Sequence, residues 1–276
     1  MRSDVEARRN NVRVLVLTGF GLNCEAETTY GFRLCGAQVE QKHLSDVLLS
    51  KRPLTDYHII AMVGGFSFGD HIAAGVVWAN RLRYHLFDRI MRFVSEGGLM
   101  LGVCNGFQTM VKLGLLPGFD RGYGQPVATV AANDRLGYRN AWVRVKVDLE
   151  SPCVWTRGID EMELPARHGE GKFLLQNNEL LDRLRDEHLV ALRYVDEQGK
   201  PTQRWPDNPN GSPDAVAGVC DPTGRLLGLM PHPDAYLYGI NHPHWARKKL
   251  EGTLQREGQG LRVFQNGVDY AADLKN

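Results

Sequence analysis

Short β-branched runs that stop on glycine and hand over to a helix recur through the N-terminal half of this chain. This pattern restricts the fold more than any other feature. Val12–Leu17 ends at Gly19-Phe-Gly21, and a segment from about Glu25 to Leu34 follows with helical character. Ala37–Glu40 reads as a second strand, and His58–Val63 as a third that halts at Gly64-Gly65. Leu82, Leu86, Phe87, Ile90, Phe93 and Val94 fall at helical spacing within Asn80–Glu96. That helix feeds into the buried strand Leu99–Val103 and then a helix over Gln108–Leu113. Strand, glycine turn and helix in alternation predict a mostly parallel sheet in an α/β fold.

The second half has a different texture. Val127–Ala131, Ala141–Val147, Glu161–Ala166, His188–Val195, Ala215–Cys220 and Leu226–Met230 read as strands, with one helix over Asn178–Glu187. Turns such as Asp221-Pro-Thr-Gly224 join them, so these additional strands are expected to be antiparallel. Two short helices, split near Gly258–Gly260, are expected in the tail. With no internal repeat and no low-complexity linker, residues 12–276 read as one domain. A polar, flexible arm precedes it at 1–11, and a helical extension ends it at about 241–276.

Charge and cysteine usage narrow the function classes. The 33 basic and 32 acidic side chains nearly cancel, which gives no nucleic-acid surface. No run approaches the roughly 20 apolar residues a membrane span needs, and Val12–Leu17 is too short for a signal-peptide core. Five cysteines with no C-x-x-C spacing suit a reducing cytoplasm and argue against a disulfide framework or zinc ribbon.

Cys104 stands at the corner where the strand Leu99–Val103 turns into a helix, inside Gly102-Val-Cys-Asn-Gly106. A glycine on each side lets the chain turn so tightly that the central side chain projects above the sheet edge, as a nucleophile elbow requires. The following helix aims its free N–H groups and positive dipole end at Cys104, favouring the thiolate, and the Asn105 N–H is placed to hold an oxyanion. Among nine histidines, His232 is the best partner base, because it leaves the strand Leu226–Met230. It reaches the same sheet edge as Cys104 if the two strands are parallel neighbours. Asp234, two residues on, is placed to orient the imidazole.

Gly-Val-Cys-Asn-Gly-Phe-Gln at 102–108 and His232-Pro-Asp234 resemble the Cys and His-x-Glu elements of class I glutamine amidotransferases. GGFSFGDHIAAG at 64–75, HGEGKF at 168–173, NPNGS at 208–212 and GLMPHP at 228–233 are similar to the glutaminase component of phosphoribosylformylglycinamidine synthase, an enzyme of purine biosynthesis. The motifs run in the same order from about Val12 to Asp234. The resemblance implies a flavodoxin-like three-layer sandwich and hydrolysis of glutamine to glutamate and ammonia. The ammonia would pass to an ATP-using synthase partner, with room for a small accessory subunit. It implies no cofactor or metal in this chain, ATP and Mg²⁺ belonging to the partner. Cys104 is then the nucleophile, His232 the acid and base, and Asp234 stands where the family has glutamate, one methylene longer.

The resemblance also assigns Gly64, Gly65 and Phe66 to the oxyanion turn with Asn105, and Gln108 to substrate contact. His168, Gly169 and Glu170 are expected in a glycine-rich loop facing the cleft or the partner. The 64–66 turn lacks the lysine of a phosphate-binding loop, so the oxyanion role ranks first. His232, His242 and His244 raise a metal site, but no cysteine or acidic pair completes a familiar zinc spacing. Two rivals remain: another elbow-cysteine hydrolase, in which the histidine usually follows the cysteine closely, and a catalytically impaired glutaminase-like binding subunit, suggested by the short Asp234.

Overall fold

A computed structural model describes residues 7–274. In chain order its elements are β1 (Arg13–Thr18), α1 (Glu25–Leu34), β2 (Gln38–His43), α2 (Leu44–Leu49), β3 (Ile59–Met62), α3 (Val76–Ser95), β4 (Leu99–Val103) and α4 (Asn105–Lys112). The second half contributes β5 (Ala128–Ala132), β6 (Arg139–Val147), β7 (Glu161–His168), β8 (Glu170–Leu175), α5 (Asn178–Asp186), β9 (Leu192–Val195), β10 (Val216–Cys220), β11 (Leu226–Leu229), α6 (Trp245–Leu250) and α7 (Leu261–Asp273).

Nine strands form one sheet in the order β2-β1-β3-β4-β11-β10-β9-β6-β7. From β2 to β11 every neighbour is parallel, and from β11 to β7 every neighbour is antiparallel. The change of texture between the two halves is thus a change of strand direction within one sheet. The parallel strands β3 and β4 are buried at every position, as expected when helices cover both faces. The parallel part has the flavodoxin-like order, in which ligands sit beyond the carboxyl ends of the strands.

Most expected elements stand within a few residues of their places, and the departures have physical causes. α3 begins one turn early because Trp78 and Ala79 extend its buried stripe back to the left-handed Gly75. α2 was not expected; it is six residues long, and the His43 ring caps it by accepting from the Ser45 N–H. The strand expected from His188 begins only at Leu192, since His188 takes a positive φ of 53° to leave α5. The glycine-rich loop expected at HGEG, 168–171, instead runs into β8, which is not expected from the sequence and pairs with β5 as a separate two-stranded ribbon.

The tail is part of the core. Val263, Phe264 and Val268 on α7 are fully buried, and the Phe264 ring meets Phe32 of α1 edge-on at 4.9 Å. Asn266 donates to the Trp155 and Arg157 carbonyls. Residues 7–9 of the expected arm are helical, and Arg9 grips Asp269 of α7 through two hydrogen bonds of 2.6 and 3.0 Å. Residues 1–6 lie outside the described residues.

Candidate active site

β4 and β11 are parallel neighbours with Gly102 opposite Gly228 and Val103 opposite Leu229, and the Cys104 N–H continues the ladder by donating to the Leu229 carbonyl at 2.8 Å. Cys104 and His232 therefore leave adjacent strands at one sheet edge, as the sequence required. Cys104 holds φ 51° and ψ −105°, a conformation side chains seldom adopt. The turn is enforced by close packing. A Cβ at Gly106 would collide with the Met62 carbonyl, and one at Gly102 would lie 2.5 Å from the Met110 sulfur. α4 starts at Asn105, so its first unpaired N–H groups and positive dipole end flank the thiol. Cys104 Sγ lies 3.5 Å from the Arg167 carbonyl.

His232 is pinned by its own N–H, which donates to the Pro165 carbonyl of β7 at 2.7 Å. Its imidazole is 3 % exposed, and Nδ1 lies 3.3 and 3.4 Å from the two Asp234 carboxylate oxygens. The helical turn Pro233–Ala235 curls the shortened side chain back under the ring, so Asp234 reaches its target at the long end of hydrogen-bond range. Burial disfavours the imidazolium, but the Asp234 carboxylate and Cys104 outweigh it and hold the His232 pKa well above the ordinary value. Nε2 makes no hydrogen bond among the described residues and is available to a reactant.

Gly64 is the space into which these groups pack. A Cβ there would lie 2.9 Å from His232 Cε1, 3.2 Å from Cys24 Sγ and 3.5 Å from Cys104 Cβ. The three residues of the expected oxyanion turn divide their tasks. Gly64 makes room, and its carbonyl accepts from Asn23 N–H. The Phe66 N–H is committed to the Gly21 carbonyl at 2.8 Å, which corrects its assignment as an oxyanion donor. The Gly65 N–H has no acceptor among the described residues and lines the cleft beside Cys104 and His232.

Gln108 and the HGEG residues sit behind the reacting atoms. The Gln108 amide accepts from Asn105 Nδ2 and donates to the Glu170 carbonyl, so it braces the elbow and is not free for substrate. Asn105 is buried, and its side chain also bonds Asp70 and the Ser67 N–H. His168 is 2 % exposed at the end of β7 and pairs Nδ1 with Asn133 Oδ1 at 3.1 Å, facing neither cleft nor solvent. Burial and the neighbouring His232 charge push its pKa down to about 3, so it is neutral. The Gly169 carbonyl accepts from Asn133 N–H, and Glu170 opens β8 while its carboxylate accepts from the Ala74 N–H at 3.1 Å. HGEG is a corner between two strands that clasps the 64–75 loop.

His242 and His244 do not join His232. His242 bonds Glu163 and the His244 N–H beside Trp142. Two sets among the described residues bring candidate ligand atoms within 4.8 Å of one another: Cys24, His232 and Asp234 at the cleft, and Asp148, Glu150 and His188 outside it. Cys24 carries no motif of its own, although its place between Gly21-Leu-Asn23 and the start of α1 marks another strand-to-helix corner. Burial pushes its thiol pKa up, disfavouring a second thiolate. The cleft above Cys104 has a volume of about 260 Å³. Glu27, Tyr138 and Arg167 also line it, and none of them carried a motif signal.

The chain is similar to known proteins over nearly its whole length. Residues 11–271 match the CobB/CobQ-like glutamine amidotransferase domain family. The chain is 39 % identical over 269 residues to a phosphoribosylformylglycinamidine synthase subunit PurQ from Methanococcus maripaludis, covering 94 % of this chain and 97 % of that one. It is 40 % identical to the protein of the same name from Dehalococcoides mccartyi, covering 96 % and 100 %. In fold it is similar to a chain of the PurLQS structure from Thermotoga maritima, with a TM-score of 0.68 at 24 % identity over 94 % of this chain and 99 % of that one.

Proposed function

Because this chain belongs to the CobB/CobQ-like glutamine amidotransferase family, we propose that it is the glutaminase subunit of a phosphoribosylformylglycinamidine synthase, with Cys104, His232 and Asp234 as its catalytic residues. The relatives that share its length carry that subunit's name. The observation that carries the catalytic assignment is the β4–β11 pairing, which brings an elbow cysteine and a buried His–Asp pair around Gly64.

The chemistry follows from that geometry. The Cys104 thiolate attacks the carboxamide carbon of glutamine, and the oxygen that gains charge is held by the Gly65 and Asn105 N–H groups. The raised His232 carries a proton at neutral pH and gives it to the departing nitrogen, which leaves as ammonia. The glutamyl group is then a thioester on Cys104. Neutral His232 next takes a proton from water, whose oxygen attacks the thioester carbon. Glutamate leaves, and the thiolate and imidazolium are restored. Asp234 keeps Nδ1 protonated, so that Nε2 performs both transfers.

Ammonia passes to a synthase partner that uses ATP and Mg²⁺. Partner-induced closure is a reasonable gate, since ammonia released without an acceptor is lost. The five free cysteines agree with a reducing cytoplasm, and among the described residues no helix is long and apolar enough to cross a membrane. Contact between His232 and Asp234 speaks against a catalytically impaired binding subunit. Acid quenching of the assembled complex during turnover, followed by mass spectrometry of its peptides, tests the route. A glutamyl adduct on the Cys104 peptide is expected; turnover with that peptide unmodified at every time point contradicts it.

A further inference from the structure

The cleft above Cys104 carries two charges that the reaction does not use. Glu27 in the first turn of α1 and Arg167 near the end of β7 both line it, both are exposed, and neither joins an ion pair among the described residues. By contrast, Arg183 on α5 is committed to both Asp120 and Glu187, and Arg185 to both Asp182 and Asp214. A cleft with one unpaired acid and one unpaired base is complementary to a zwitterion. Its volume of about 260 Å³ is below the ~300–1,000 Å³ typical of drug-sized ligands, which suits a single amino acid.

The placement supplies a direction. The Arg167 carbonyl is 3.5 Å from Cys104 Sγ, so the Arg167 backbone stands beside the reacting carbon, while its side chain is exposed and its charge acts on Tyr138, which also lines the cleft. In glutamine the α-carbon is two methylenes from the carboxamide carbon, so its charged groups also lie on the mouth side. A guanidinium fork suits a carboxylate, and a carboxylate suits an ammonium.

We infer that Arg167 binds the α-carboxylate and Glu27 the α-ammonium of glutamine, so that together they restrict the cleft to free α-amino acids. This inference rests on the glutaminase reading. It also gives Glu27 a task beyond complementing the dipole of α1, which would not affect substrate binding.

The test uses the chain assembled with its synthase subunit, ATP and acceptor. Arg167→Gln and Glu27→Gln are each expected to raise KM for L-glutamine about tenfold or more, with a much smaller change in kcat. Two analogues separate the roles: L-glutamine methyl ester lacks the carboxylate charge, and 4-carbamoylbutanoate lacks the ammonium. Arg167→Gln should lose the wild-type discrimination against the ester alone, and Glu27→Gln that against the carbamoylbutanoate alone. Unchanged KM and discrimination overturn the inference, as does an Arg167→Gln variant that binds the synthase more weakly while keeping the wild-type KM. Calorimetric binding of L-glutamine to Cys104→Ala protein in the complex repeats the comparison without turnover. Loss of binding on adding Arg167→Gln or Glu27→Gln supports the inference even if the catalytic scheme fails. Wild-type-like binding in both double variants overturns it while leaving that scheme intact.

Discussion

Two strand ends in this molecule each bury a histidine, with opposite results. His232 beyond β11 and His168 at the end of β7 are 3 % and 2 % exposed, so burial taxes the imidazolium of both. His168 has a neutral amide, Asn133, for a partner, and its pKa falls to about 3. His232 has the Asp234 carboxylate and Cys104, and its pKa rises well above the ordinary value. The partner, and not the depth, decides whether a buried histidine is a proton carrier or a neutral strut. The two are coupled: the His232 cation further discourages protonation of His168.

Removing each ring should separate them. His232→Asn is expected to lower glutamine-dependent turnover by about 10³-fold or more, because both proton transfers use Nε2. His168→Asn should leave kcat within a small factor of wild type. Comparable losses in the two variants, measured as glutamate release by the assembled complex, would break the distinction.

A smaller effect is expected at Asp234. Its contacts of 3.3 and 3.4 Å are long, so Asp234→Asn should cost about 10- to 100-fold in kcat, less than removing a well-seated orienting carboxylate. The restored longer side chain, Asp234→Glu, should retain activity. If Asp234→Asn is as damaging as His232→Asn, the carboxylate is doing more than orienting the ring.

The smallest effects are on stability, and their signs oppose. The raised pKa of His232 contributes stability that is complete below its unfolded value of about 6.5 and disappears as pH rises through the folded value. The lowered pKa of His168 contributes stability that is complete above about 6.5 and is lost as pH falls toward about 3. In thermal melts, the gap between wild type and His232→Asn should narrow with rising pH above neutrality. The gap for His168→Asn should narrow on acidification. Gaps that move together with pH would show that the partners do not set the two protonation states.

The sequence made β1, β3 and β4 legible because each is a largely buried apolar run with a glycine close behind it, and these stops are where the reacting groups stand. Gly102 and Gly106 predicted the elbow, and GLMPHP placed His232 on the strand next to it. What escaped notice depends on side chains meeting across the fold. Phe66 lost its oxyanion role to a hydrogen bond with Gly21, 45 positions earlier in the chain, and Gln108 lost its substrate contact to Asn105 and Glu170. The polar texture of HGEG suggested a loop, but Glu170 is tethered to Ala74 and opens a strand. Glu27 and Arg167 carry no pattern at all; only the cleft brings them together. The short polar β2 blurred for a related reason, since an edge strand with no fully buried residue leaves a weak apolar signature.

The central claim is that Cys104 alone supplies the nucleophile for ammonia release. It is tested most directly by assembling Cys104→Ala with the synthase partner and measuring glutamate release from glutamine alongside product formation from added ammonia. The account predicts no detectable glutamate release and ammonia-dependent synthesis near the wild-type rate. Glutamate release persisting at a substantial fraction of wild type would contradict it.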